Sequence, residues 1–80
     1  MTEDQLYKLN FYLLLELRVL SRTGTLEEIH RLVDCFHNLP DHLRQIREGT
    51  MTVEDAVSEL YANVDRFHLQ DWLENKMRFL

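Results

Sequence analysis

Three residues offer the most specific chemistry in this chain. His30, Asp34 and His37 fall at i, i+4 and i+7, a spacing that puts two imidazoles and a carboxylate along one side of a helix. Neutral imidazole and carboxylate oxygen together suit a divalent metal, and Asp41 and His42 follow closely enough to add ligands. The competing reading is that His37 edges the core while His30 and Asp34 pair across a helical turn. No paired thiolates support a metal cage, because Cys35 is the sole cysteine. Cys35 and His37 would be a nucleophile and base by type, yet two residues apart on a helix they face about 200° from each other. The chain also lacks a Gly-rich turn to form an oxyanion site. Asp55 and Glu59 stand at i and i+4, a like-charge pair costing a few tenths of a kcal/mol. They form an acidic face suited either to a basic partner or simply to water.

None of these patterns holds a cofactor, so the elements that carry them bear more of the interpretation. The stretch Leu6 to Leu20 reads LYKLNFYLLLELRVL, with eleven apolar or aromatic residues out of fifteen. At about 100° per residue, Leu6, Leu9, Leu13, Leu17 and Leu20 share one face. Tyr7, Phe11, Leu15 and Val19 lie off that stripe, with Tyr12 and Leu14 spreading the apolar surface further. A helix apolar nearly all round must be covered nearly all round. Either later helices cover Tyr7, Phe11, Leu15 and Val19, or those residues are an exposed interface.

The remaining punctuation predicts an all-α fold: a compact single-domain bundle of four or five helices, spanning residues 1–80, around this N-terminal helix. Thr2 with Gln5 reads as a capping box, and Met1 as a staple onto Leu6. The first helix should run over about residues 3–22, stopped by a left-handed Gly24. Thr25 with Glu28 reads as a second capping box, opening a helix with Leu26, Ile29, Val33, Phe36 and His37 inward and Leu32 flanking. On this reading Cys35 lies on another side, only partly covered. Asn38-Leu39-Pro40 ends that helix, since the residue before proline is pushed from the α region. Residues 41–48 predict a short helix with Leu43 and Ile46 inward, closed by Gly49. Thr52 caps the next, whose apolar set runs from Val53 to Phe67. The phase then restarts at Leu69, Trp72, Leu73 and Met77, which predicts a break near His68 and a last helix at about 70–79.

Composition narrows the classes. Eighty residues at 45% hydrophobic and 29% charged make one small globular domain, burying only about 60% of its unfolded surface. Oligomerisation is then a natural extra source of stability. The net charge is −5, which lacks the basic footprint of direct nucleic-acid binding. Lone Cys35, the absence of a signal-like N-terminus and an apolar run no longer than Phe11–Leu15 all fit a cytoplasmic, non-membrane protein.

The segment Leu32-Val33-Asp34-Cys35-Phe36-His37-Asn38-Leu39-Pro40 resembles one in small all-helical bacterial proteins. Those read Ala-Asp-Ala, an apolar residue, then His-Asn-Leu/Ile-Pro after a first helix. Cys35 departs from the small residue that pattern carries. The resemblance implies a bacterial or phage setting and brings no activity or site with it. The sequence therefore predicts a small non-catalytic module that binds a protein partner, or a second copy of itself as a homodimer. Inhibitors, immunity proteins, antitoxins and adaptors share such size and charge. The alternatives are a metal-binding or metal-sensing protein using His30, Asp34 and His37, and a transcriptional co-regulator that binds a DNA-binding protein.

Overall fold

Short-range signals open or close most of the helices in this chain, and the five together enclose one apolar core. In the computed structural model, which describes residues 1–80, the helices are α1 (Glu3–Thr23), α2 (Leu26–Phe36), α3 (Leu39–Glu48), α4 (Val53–Arg66) and α5 (Gln70–Met77). The capping box at α1 is complete. Thr2 N–H donates to Gln5 Oε1 at 2.8 Å, and Gln5 N–H donates to Thr2 Oγ1 at 3.2 Å, satisfying donors that a helix start leaves orphaned. Thr52 Oγ1 accepts from Asp55 N–H at 3.1 Å. At α2 only half of the expected box forms: Thr25 accepts from Glu28 N–H at 3.2 Å, without a reciprocal bond from the Glu28 side chain.

Gly24 ends α1 differently from expectation. Its backbone is extended, at φ −94° and ψ 178°, rather than left-handed. Its importance is space: an added Cβ would sit 2.6 Å from Leu20 Cδ2 and 3.0 Å from the Leu20 carbonyl oxygen. Gly24 and Thr25 are the whole link to α2, which folds back antiparallel along α1. Leu20 and Leu32 line one groove between the pair, and Leu14 and Val33 line another.

α2 shows the largest departure. Its buried residues are Leu32, Cys35 and Phe36, whereas Leu26, Val33 and His37 are exposed. The inward face is rotated by roughly a quarter turn from the expected one and centred on Leu32. The physical reason is that α2 is covered by both α1 and α4, so its buried arc lies between them. Cys35, a small apolar side chain of a type commonly found inside, is then fully enclosed at 1% exposure. Leu39 is also buried and belongs to α3, so the chain resumes helix one residue before Pro40.

α3 and α4 end on the same C-terminal device. Gly49, at φ 80°, donates to the Ile46 carbonyl while Thr50 N–H reaches the Gln45 carbonyl at 2.9 Å. At the end of α4, His68 takes the left-handed role at φ 56°; its N–H donates to the Asp65 carbonyl and Leu69 N–H to the Val64 carbonyl at 3.0 Å. Both are Schellman turns. The second is the break that the phase jump predicts, and it turns α5 back onto the body of the domain.

The core is wholly apolar: thirteen buried residues, among them Leu6, Leu9, Leu13, Leu60, Val64 and Leu73. α1 packs on α2, α3 and α5, while α4 closes the far side against α2, α3 and α5. A part-buried ion pair, Lys76 Nζ to Glu16 Oε2 at 3.3 Å, ties α5 to α1. The Phe36 and Trp72 rings meet at 5.2 Å. No helix is long and apolar enough to cross a membrane.

Candidate functional site: the outward face of the first helix

α1 is two-sided. Leu6, Leu9 and Leu13 point into the core and are buried, while Leu17 and Leu20 pack at its edge. On the opposite side Tyr7, Phe11, Leu15 and Val19 stand in solvent, from 38% exposed at Tyr7 to 59% at Phe11. Neither α4 nor α5 covers them. α5 approaches α1 along one flank, through Lys76 to Glu16 and through Phe79, whose ring lies 6.3 Å from Tyr12. α2 and α3 approach along the other flank. The sector between the flanks stays open.

Leu14, at 59% exposed, belongs to the same surface. Seven residues beyond Tyr7, it lies about 20° from Tyr7 around the helix. Leu14 also forms one wall of a groove of about 150 Å³, whose other apolar walls include Leu17, Val33, Phe36 and Pro40. Val33 and Phe79 extend the exposed apolar surface on either side. Sequence reasoning placed Val33 in the core, and its exposure follows from the rotation of α2.

Charges frame this face. Asp4 and Lys8 sit at its N-terminal end and pair at 3.2 Å. Arg18 and Arg22 sit at the C-terminal end, exposed and without an ion pair.

The other candidates assemble less. His30, Asp34 and His37 are all exposed, and no group of three or more His, Cys, Asp or Glu side chains gathers in a cation-holding arrangement. His37 is turned back along its own helix, with Nδ1 2.8 Å from the Asp34 carbonyl oxygen. That oxygen only accepts, so Nδ1 carries the proton. That bond leaves Nε2 free, but the three side chains do not gather into a cation-holding group.

Cys35 is enclosed beside a void of about 10 Å³ that His42 and Asn63 also line. Burial pushes its thiol up from 9.0 to about 11, with Arg31 pulling weakly the other way. A nucleophilic cysteine needs the reverse, a lowered value and access to solvent.

Asp55 and Glu59 are exposed on α4. Glu59 Oε2 lies 2.9 Å from His42 Nε2, a link from α4 to α3, which leaves Asp55 as the freer carboxylate of the pair. Two polar atoms are buried without a partner, Asn10 Oδ1 and Trp72 Nε1.

Set against protein-family models, curated proteins and solved structures, the chain matches none of them.

Proposed function

We propose that this chain is a small, non-catalytic protein-interaction module, and that its contact surface is the outward face of α1. The observation that carries this reading is the exposure of Tyr7, Phe11, Leu14, Leu15 and Val19 on a single open sector of one helix. Isolated exposed apolar residues are ordinary, whereas a contiguous patch of large ones marks an interaction surface. Their exposure is not needed for folding, because the same helix buries a separate leucine stripe. Phe and Tyr on a helix face also supply the aromatic anchors that dominate interfaces.

The test is a paired pull-down from the native cell, using the wild type and the double variant Phe11→Glu/Leu15→Glu at matched helicity. A protein captured by the wild type and lost with the variant supports the reading. Equal capture by both, or capture lost instead with Asp55→Asn/Glu59→Gln, moves the contact surface off α1.

A further inference from the structure

We infer that the occupant of the α1 face is a second copy of the chain, its α1 packed antiparallel about a two-fold axis that passes between the two helices level with position 13. This rests on the proposal that α1 carries the contact surface and names its partner.

Three features of the face are self-complementary. The first is its spacing. Phe11 and Leu15 lie two residues either side of position 13, and Asp4 and Arg22 nine residues either side. Residues 4, 11, 15 and 22 share a sector of about 40° on the helix. An antiparallel copy then sets Phe11 against the partner's Leu15 at the centre.

The second is charge. The same arrangement brings Asp4 to the partner's Arg22 at both ends of the interface. Arg22 is unpaired within its own chain, and Asp4, three-quarters exposed, is held only by Lys8. Antiparallel packing also sets the two helix dipoles in their favourable relation. A parallel copy would stack Arg18 and Arg22 against their own counterparts.

The third is area. The five exposed side chains present roughly 450 Å² of apolar surface, in the middle of the range for the largest patch on a typical monomer. Two copies bury about 900 Å². The stems of Lys8, Arg18 and Arg22 at the rim bring the total to about 1,200 Å², the lower bound for specific interfaces. An interface at that lower bound fits a reversible dimer whose population depends on concentration.

Light scattering after size exclusion, from about 1 µM to 1 mM, tests this with four proteins. The wild-type mass should rise from 9.7 kDa toward twice that value. Asp4→Lys and Arg22→Glu should each weaken association roughly tenfold, since each puts like charges together at both ends. Combining the two swaps restores the opposite-charge pairs and should recover wild-type association. That recovery separates an antiparallel pairing from unspecific adhesion.

A monomer across the whole range overturns the inference. So does a dimer indifferent to the swaps, or one that the combined variant fails to restore. If the wild type stays monomeric while the pull-down above still loses a protein with Phe11→Glu/Leu15→Glu, the interaction reading stands with another occupant. If that loss is absent too, both fall.

Discussion

His68 occupies a backbone conformation that its side chain makes costly, and replacing it with glycine should stabilise the protein. At φ 56° it lies in the left-handed region, where a residue with a Cβ pays about 1–2 kcal/mol. The His68→Gly substitution removes that strain. It also frees the unfolded chain, which offsets about 0.5–1 kcal/mol of the gain. His68 is exposed, and its N–H bond to Asp65 is kept by glycine. The net gain is therefore about 0.5–1 kcal/mol. With a denaturant slope near 1 kcal/mol/M for so small a domain, the urea midpoint should rise by roughly 0.5–1 M at unchanged slope. Thermal melting should rise by roughly 3–6 °C. Gly49→Ala supplies the mirror control. Its φ is 80° and an added Cβ meets nothing within 4 Å, so the backbone conformation alone should cost about 1 kcal/mol. An unchanged or lower midpoint for His68→Gly would refute the left-handed turn between α4 and α5. It would also remove the reason that α5 flanks α1 rather than covering its outer face.

Four further outcomes follow from burial and pairing. Leu9→Ala should cost about 2–5 kcal/mol in urea unfolding, because Leu9 is fully buried. Leu15→Ala, measured at low micromolar concentration, should stay within about 0.5 kcal/mol of wild type. The Cys35 thiol is neutral in the fold and titrates at about 11 there against 9.0 as its ordinary value. Its contribution to stability is therefore full below pH 9 and lost as pH rises to 11, on the order of 2 kcal/mol. Unfolding curves at pH 8 and pH 11 for the wild type and Cys35→Ala should show the smaller decline in the variant. The Glu16–Lys76 pair is part-buried at 3.3 Å, and a double-mutant cycle with Glu16→Gln and Lys76→Met should return a coupling of about 0.5–1 kcal/mol.

Local signals were the most readable part of this chain. Thr2, Thr25 and Thr52 cap helices because a threonine hydroxyl can take an orphaned N–H wherever the tertiary structure puts the helix. The break at His68 was readable from the restart of the apolar phase, although nothing marks histidine itself as the left-handed residue. The orientation of α2 was not readable. Leu26 and Val33 are apolar and seven residues apart, so they imitate a buried stripe. Which arc is buried depends on where α1 and α4 lie, and that is a long-range fact. Placing Cys35 and Leu39 inward would have found the right face. Gly24 misled for a related reason, since what favours glycine there is the close approach of Leu20 and not a positive φ.

The candidate site was legible in part. The excess of apolar residues on α1 pointed to Tyr7, Phe11, Leu15 and Val19. Whether they would be covered depended on the path of α5, and hence on the turn at His68. Leu14 and Phe79 join the face only once the flanks are known.

The most direct measurement is a dilution series of amide chemical shifts, from about 1 mM down to the low micromolar range. Concentration-dependent shifts should concentrate between Asp4 and Arg22 on the outward positions of α1, with α4 silent around Asp55. Shifts centred on α4, or spectra that do not change with concentration, would contradict self-association through α1.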